Sequence, residues 1–241
     1  MSDRPLVIAI DGPSGSGKST LARRLAAAYG LAYLDTGSMF RAVTLWLLRQ
    51  GVELTDEDAV AEAVQGCPLE MVMDPAAPRV EVGGEDVTDS LHTGEISAVV
   101  SHVAVNLRVR AWLAALQREL IARERSGGIS GGRGVVAEGR DITTKIAPEA
   151  DARILLIAKP EARLERRAVE RHGTASKDAV AATRDEVLRR DQQDSTVSEF
   201  MQASDGVVTL DNSAMEPDET FEAGCAIVLR VTGCERPGRG E

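Results

Sequence analysis

One octapeptide constrains the fold of this chain more than any other stretch of its sequence. Residues 12–19 read Gly-Pro-Ser-Gly-Ser-Gly-Lys-Ser, and they follow an uninterrupted apolar run at residues 6–10. Leu21, Leu25 and Tyr29 then recur every four residues, which is the spacing of one helix face. A strand, a glycine-rich turn and a helix in this order form a phosphate-binding loop. The sequence therefore predicts a strand–loop–helix unit that binds phosphate.

The chemistry of this phosphate-binding loop (P-loop, residues 12–19) follows from its residue types. Its glycines let successive backbone N–H groups point at one phosphate, and the dipole of the following helix adds positive potential. Lys18 then reaches the β- and γ-phosphates, and the Ser19 hydroxyl coordinates Mg²⁺. A Gly/Ser-rich turn that matches by chance is the alternative, and the strand and helix on either side disfavour it. The residues predicted to bind ATP are Gly12, Pro13, Ser14, Gly15, Ser16, Gly17, Lys18, Ser19 and Thr20.

Four further short apolar runs indicate a layered α/β fold. They lie at residues 32–34, 134–137, 153–158 and 206–210, and helical patterns such as that of residues 38–50 separate them. Short apolar runs between turn residues are typical of strands buried on both faces, and strands that alternate with helices form parallel sheets. The sequence therefore predicts a five-stranded parallel sheet flanked by helices.

Residues 67–90 interrupt this alternation. The stretches 69–73 and 79–82 alternate, or nearly alternate, apolar and polar residues, and Gly83-Gly84 provides a turn. Alternation with a period of two is typical of a half-exposed antiparallel ribbon. We therefore predict a small antiparallel β insert within the α/β core.

The helical patterns on either side of this insert contain capping signals. Thr55 is the predicted N-cap of the helix before it. The pattern from 97 to 125 cannot form one straight helix with a single role, because Ser101 and Arg110 are nine residues apart and would point to opposite sides at roughly 100° per residue. A new helix capped by Asn106 would allow both side chains to face one pocket.

Composition restricts the class of protein. The 241 residues are 43% apolar and 27% charged, which is expected of a soluble globular protein with one core. The net charge of −10 argues against a general nucleic-acid binder and requires local positive charge around any polyanionic substrate. The apolar runs are too short for a membrane span or a signal-peptide core. Three cysteines without metal-ligand spacing favour a reduced, cytoplasmic protein.

Two further stretches contain candidate functional side chains. Arg140 and Asp141 follow the apolar run at 134–137, and α/β folds bind ligands beyond the carboxyl ends of their strands. An ordinary surface ion pair is the alternative. The helical pattern at 160–171 is rich in arginine, which would neutralise the charge of a transferring phosphoryl group, unless it is only a solvated face or the result of codon bias. Its arginines are Arg163, Arg166, Arg167 and Arg171.

The P-loop alone does not separate kinases from other nucleotide-binding enzymes. The Asn-Lys-x-Asp signature with which GTPases read the base is absent from the sequence, and the nearest counterpart of the Asp-Glu strand end of motor ATPases is Glu138. A small-molecule kinase is therefore favoured. A nucleotide-dependent switch or binding protein is the alternative from a different class.

Five stretches, in the same order along nearly the whole chain, resemble the bacterial cytidylate (CMP/dCMP) kinase family. GEDVT in the insert and EGRD after the third core strand are more specific to that family than the P-loop is. The stretches are IDGPSGSGKST at 10–20, LDTGSMFRA at 34–42, GEDVTDSL at 84–91, EGRDI at 138–142 and RRDQQDST at 189–196.

This resemblance implies a P-loop kinase fold and the Mg²⁺-dependent reaction ATP + (d)CMP ⇌ ADP + (d)CDP. The attacking phosphate oxygen is already deprotonated, so alignment and charge neutralisation suffice without a general base. An Asp carboxylate would accept a hydrogen bond from the N4 amino group of cytosine, which uracil lacks. The residues matched to the cytosine are Ser101, Arg110 and Asp141, those matched to the monophosphate are Thr36, Arg41 and Arg140, and those matched to the ribose are Arg190 and Asp194.

The same resemblance implies the division of the chain. Residues 1–66 and 91–235 form the kinase core, 67–90 form the inserted monophosphate-binding ribbon, 160–193 form a helical lid and 236–241 form a disordered tail. The partners implied are ATP and CMP or dCMP, with no nucleic acid, no membrane and a monomeric state. Thr36 and Ser101 could instead serve only as helix caps. The residues matched to catalysis are Lys18, Arg140, Arg163 and Arg167.

Three departures from the family pattern accompany the resemblance. Val197 stands where the family commonly has an arginine that contacts the substrate phosphate, and Thr143 stands where it has a glycine. The glycine-rich loop at 126–134 is longer than usual and precedes a strand, so we interpret it as a connection and not as a second nucleotide loop. The nearest alternative is another small-molecule kinase with a P-loop.

Overall fold

The computed structural model describes residues 4–184, 192, 196 and 200–237. Five parallel strands form its central sheet, which confirms the α/β prediction. They are β1 (Leu6–Asp11), β2 (Ala32–Asp35), β6 (Gly134–Gly139), β7 (Ala152–Ile157) and β8 (Val208–Asp211), and they lie side by side in the order β2-β6-β1-β7-β8. Each of the five apolar runs overlaps one strand, although the run at 153–158 ends one residue after β7 and the run at 206–210 begins two residues before β8.

Helices cover both faces of this sheet. Alternate residues of β1 show the two faces: Val7 and Ala9 pack into one buried cluster, whereas Ile8 and Ile10 pack into the other. The helices are α1 (Lys18–Tyr29), α2 (Thr36–Arg49), α3 (Glu57–Ala63), α4 (Gly94–Val105), α5 (Leu107–Ser126), α6 (Pro160–His172), α7 (177–184) and α8 (Pro217–Thr232).

The predicted insert is a separate antiparallel sheet of three strands. These are β3 (Leu69–Val72), β4 (Arg79–Val82) and β5 (Glu85–Asp86), and the Gly83-Gly84 turn joins the last two. The alternation did not reveal β5, because both of its residues are charged. Val80 and Val82 pack into the same buried cluster as β2 and α2, so the insert shares the core of the main sheet.

Two sets of hydrogen bonds hold the insert against the core. Tyr33 N on the edge strand β2 donates to Met73 O at 2.8 Å. Arg23 on α1 donates from Nε to Pro75 O at 2.7 Å and from Nη2 to Ala76 O at 2.9 Å. Hydrogen bonds therefore connect the loop between β3 and β4 both to the edge of the central sheet and to the helix that follows the P-loop.

The bend predicted at Asn106 is present. The axes of α4 and α5 differ by 94°, and the Asn106 side chain accepts hydrogen bonds from the N–H groups of Arg108 and Val109. Its amide nitrogen also donates to Glu57 O, at the start of α3, at 2.8 Å. The prediction of Thr55 as the cap of α3 was wrong by one residue: Asp56 is the N-cap and accepts from Ala59 N.

The glycine-rich loop at 126–134 is a structural connection, as interpreted from the sequence. The carboxylate of Glu124, which is fully buried, accepts hydrogen bonds from Ile129 N and Ser130 N. Ser130 Oγ in turn accepts from Gly134 N at the start of β6. Residues 126–134 therefore connect α5 to the sheet through one buried carboxylate.

Within the described part of the chain, no single helix has both the length and the apolarity of a membrane span. Taken together, the bent pair α4 and α5 meets both measures.

Replacement of Asn106 tests the bend. Asn106→Ala removes the cap and the bond to Glu57, so we expect the free energy of unfolding to fall by about 1–3 kcal/mol in urea titrations. Asn106→Asp keeps the acceptor of the cap and loses only the donor to Glu57, so its loss should be smaller. Equal losses in the two variants would show that the cap is not the stabilising contact.

Candidate active site

The P-loop turns tightly between β1 and α1. Gly15 has φ 75°, and a Cβ atom there would lie 2.6 Å from Arg163 O on α6. A Cβ atom on Gly12 would lie 2.1 Å from Leu156 O on β7. These two positions therefore require glycine because the backbone of neighbouring elements approaches them closely.

Lys18 is the first residue of α1, and its side chain extends back to the P-loop. Its Nζ donates to Pro13 O at 2.9 Å, so the ammonium group is held over the loop that would cradle the phosphates. Gly17, in the left-handed conformation, is the N-cap of α1. The helix therefore points its N-terminal N–H groups and its positive dipole end into the same space.

A cavity of about 210 Å³ opens in front of the loop. Nine of the predicted site residues line it: Ser14, Gly15, Gly17, Lys18, Ser19, Thr20, Arg41, Arg140 and Arg167. Asp35, Gly37, Ser38, His92, Glu138 and Gly139 complete its wall. The cavity therefore joins the P-loop to the chain that follows β2, to the chain that follows β6 and to α6.

A buried carboxylate forms the floor of this cavity. Glu138, 3% exposed at the end of β6, accepts hydrogen bonds from Ser19 Oγ at 2.5 Å and from the Tyr33 hydroxyl at 3.3 Å. Burial and the neighbouring Asp35 together raise the pKa of Glu138 to about 7, while Lys18 opposes the shift. The ionised form of Glu138 therefore depends on positive charge in the cavity.

Arg110 and Asp141 form a second, adjacent part of the site. Arg110 Nη2 lies 2.5 Å from Asp141 Oδ2, and each side chain is 15% exposed. Arg110 also donates to Ala104 O at 3.0 Å and lies over the ring of Phe40, 5.7 Å from its centroid. Two residues that are far apart in sequence thus meet next to Arg140, which lines the cavity.

Arg41 and Arg140 line the cavity through different supports. Arg41, 3% exposed, donates from Nη1 to Leu91 O and to Ser97 Oγ, both at 2.9 Å. The guanidinium of Arg140 lies 4.4 Å from the centroid of the buried Phe200 ring. Arg41 is therefore positioned by hydrogen bonds to a carbonyl and a hydroxyl, and Arg140 packs against an aromatic ring.

The arginines of α6 divide into two groups. Arg163 donates to the P-loop carbonyl of Ser14 at 3.0 Å, and Arg167 lines the cavity. Arg166 donates to the side chain and the carbonyl of Asn212 after β8 and to Met215 O, and it also donates to Ser16 O in the P-loop at 3.4 Å. Arg166 therefore connects α6 to the start of α8 and to the P-loop backbone, whereas Arg167 lines the cavity.

The structure places the other predicted site residues as follows. Thr36 is buried in the first turn of α2, where Asp35 is the N-cap, and its hydroxyl donates to Glu138 O at 2.8 Å. Ser101 is buried within α4, away from either cap. The possibility that Thr36 and Ser101 serve only as caps is therefore wrong. Arg190, Asp194 and Val197 lie outside the described residues.

Sequence reasoning did not assign Asp35, Glu138 or His92 to the site. Glu138 was considered only as a counterpart of a motor ATPase residue, and no site role was predicted for Asp35 or His92. The signal for Glu138 was its position at the end of a predicted central strand, next to Arg140, where α/β sheets bind ligands. The position of His92 at the end of the insert gave no comparable signal.

Comparisons with known proteins agree with this geometry. The family model described as cytidylate kinase matches residues 8–228. A cytidylate kinase of Nocardia farcinica is 44% identical over 230 residues, which are 95% of each chain. One of Cutibacterium acnes is 44% identical over 92% of this chain and 96% of its own, and one of Rhodococcus opacus is 40% identical over 97% and 99%.

The buried position of Glu138 predicts a pH dependence of stability. Its pKa is about 7 in the folded protein against an ordinary 4.5, so the folded state holds more protons between these values and the free energy of unfolding falls as pH rises through this window. Glu138→Gln should remove this pH dependence, which amounts to roughly 1–3 kcal/mol in the free energy of unfolding across the window.

The measurement is urea unfolding without nucleotide, in EDTA, at several pH values across this window. Glu149→Gln, a change at an exposed carboxylate, is the control and should retain the wild-type slope. Identical slopes for wild type and Glu138→Gln would contradict the prediction.

Proposed function

This chain belongs to the cytidylate kinase family, and from that premise we propose how its residues transfer a phosphoryl group from ATP to CMP or dCMP. The observation that supports the proposal most strongly is the Arg110–Asp141 pair beside the P-loop cavity. A carboxylate next to a guanidinium offers an acceptor and donors to one base edge. Asp141 can accept a hydrogen bond from the N4 amino group of cytosine, whereas uracil has an oxygen at that position.

The acceptor monophosphate would lie between this pair and the P-loop. Arg41 and Arg140 are cationic, line the cavity and are adjacent to the base-reading residues. Thr36 lies in the same wall of the site through its bond to Glu138 O. Ser101 would contact the base from α4. Arg190 and Asp194, which lie outside the described residues, are proposed to hold the ribose.

The phosphoryl transfer itself needs alignment and charge neutralisation. An acceptor phosphate oxygen is already a nucleophile, so the site requires no general base. Lys18 and the P-loop N–H groups would bind the donor phosphates, and Arg163, Arg167 and Arg140 would stabilise the charge that spreads over the transferred group. Net positive charge in the cavity would also keep Glu138 ionised.

The donor set fits a magnesium ion that is held mainly by phosphates. The Ser19 hydroxyl would coordinate Mg²⁺, and the carboxylates of Glu138 and Asp35 offer hard oxygen acceptors for its water ligands. Within the ranges that the structure describes, no group of three His, Cys, Asp or Glu side chains could hold a metal ion unaided. When bound, Mg²⁺ would neutralise phosphate charge.

The remaining expectations are also proposals. Residues 67–90 would form the acceptor-binding insert of a core made by 1–66 and 91–235, and 160–193 would form the lid. Residues 236 and 237 are described, whereas the rest of the predicted disordered tail lies outside the described residues. The three free cysteines favour a reducing, cytoplasmic location. We propose a monomer whose partners are small molecules, with no nucleic acid or membrane partner.

Asp141→Ala tests the proposed acceptor recognition. Loss of the carboxylate removes the acceptor for the N4 amino group, so the ratio of kcat/KM for CMP to that for UMP should fall by about 10-fold or more. The KM for ATP should change by less than about twofold, because Asp141 faces the acceptor half. ADP formation is measured with CMP, dCMP, UMP and AMP as acceptors.

Glu149→Ala, an exposed carboxylate change on the same segment, is the control and should keep the wild-type preference. Equal losses with CMP and UMP would contradict the role of Asp141. A folded wild-type protein without CMP-dependent ADP formation would contradict the function itself.

The two groups of α6 arginines give a matched pair of variants. Arg167→Ala removes a charge from the cavity, so kcat should fall by about 100-fold with little change in the melting temperature. Arg166→Ala breaks the contacts with Asn212, Met215 and the Ser16 carbonyl but leaves the cavity lining intact, so the melting temperature should fall while kcat changes less than in Arg167→Ala. A larger loss of kcat in Arg166→Ala than in Arg167→Ala would overturn this division.

A further inference from the structure

The loop that carries Arg140 and Asp141 is anchored from outside its own segment. Residues Ile142–Ile146 form a π-helical turn, in which Lys145 N and Ile146 N donate to Asp141 O. Asp141 is the N-cap of this turn, but its side chain makes no capping hydrogen bond. The first N–H groups of the turn therefore need an acceptor from elsewhere in the protein.

Asp11 supplies that acceptor. It is the last residue of β1, directly before the P-loop, and it is 1% exposed. Its carboxylate accepts from Ile142 N at 2.9 Å, from Thr143 N at 2.7 Å and from Thr143 Oγ1 at 2.6 Å. One carboxylate thus caps the turn with two backbone donors and one hydroxyl donor.

Two observations distinguish this contact from the hydrogen bonds that satisfy buried polar groups in any protein core. The capped N–H groups belong to the residues directly after Asp141, so the contact determines the direction in which Arg140 and Asp141 leave β6. Burial raises the pKa of the Asp11 carboxyl, and the hydrogen bonds from Thr143 and Ile142 oppose this shift. The ionised form of the Asp11 carboxylate is therefore stabilised by the hydrogen bonds from Ile142 and Thr143. Of these donors, only the Thr143 hydroxyl belongs to a side chain, so a substitution can remove it.

We propose that Asp11 and Thr143 are positioning residues for the acceptor nucleotide. They hold the turn so that Arg140 remains in the phosphate cavity and Asp141 remains at Arg110, and they tie this half of the site to the strand that leads into the P-loop. The inference rests on the acceptor-binding roles proposed for Arg140 and Asp141.

Thr143→Val tests the proposal, because it removes the hydroxyl, keeps the branched shape and leaves both backbone donors in place. The KM for CMP should rise by about 10-fold, and the preference for CMP over UMP should fall with it, as expected for loss of a hydrogen bond to a charged group. The KM for ATP should change by less than about twofold. Thr143→Ser, which retains the hydroxyl, should restore both acceptor parameters.

Thr144→Val is the matched control, since it removes the neighbouring hydroxyl and leaves the Asp11 cap intact; its kinetics should equal those of the wild type. Melting temperatures are recorded for every variant, and Thr143→Ala replaces Thr143→Val if the valine variant does not fold. Equal increases in KM for CMP and ATP, or a lower melting temperature with unchanged acceptor kinetics, would overturn the inference.

The kinetics of Asp141→Ala distinguish failure of the proposed acceptor site from failure of the proposed positioning role. If Asp141→Ala loses the preference for CMP while Thr143→Val keeps it, the acceptor site stands and the positioning role fails. If Asp141→Ala keeps the preference, the site assignment fails and the inference fails with it.

Discussion

The parallel pairing of β1 with β6 is the contact on which the candidate active site depends. Asp11 lies beside Gly139 in the register of this pair, so the two central strands end together. The chain that leaves β1 forms the P-loop, and the chain that leaves β6 presents Arg140 and Asp141. A shift of one residue in this register would turn every side chain of one strand to the opposite face and would separate the two chains. One strand pair therefore brings the P-loop and the segment of Arg140 and Asp141 together at the edge where parallel sheets bind ligands.

The distribution of hydrogen-bond partners shows how an acidic protein can hold two polyanions. Lys18, Arg41 and Arg163 each donate to a backbone carbonyl, of Pro13, Leu91 and Ser14 respectively. These bonds fix the direction of each cationic group in or beside the P-loop cavity. Arg110 is instead paired with the carboxylate of Asp141, and the net charge there is close to zero. Such a pair suits a neutral base, whose recognition depends on the direction of its donors and acceptors.

The sequence was sufficient for the features that depend on local pattern. The five strands followed from short apolar runs, and the bend at Asn106 followed from helical geometry and capping chemistry. Contacts between distant elements could not be predicted in this way. The arginine-rich pattern at 160–171 did not separate Arg166 from Arg167, and the structure does so because Arg166 contacts Asn212 and Met215 whereas Arg167 lines the cavity. The environment of Glu138 and the cap supplied by Asp11 likewise depend on which strands are neighbours in the sheet.

The attachment of the insert to α1 has a thermodynamic consequence. Arg23 holds the loop between β3 and β4 through the carbonyls of Pro75 and Ala76, and the same helix begins at the P-loop. Any displacement of that loop relative to α1 breaks two hydrogen bonds to a charged group. The position of the insert and the position of α1, which begins at the P-loop, are therefore energetically connected. If binding at the insert and binding at the P-loop are coupled through these two bonds, each ligand would change the affinity for the other by the same factor.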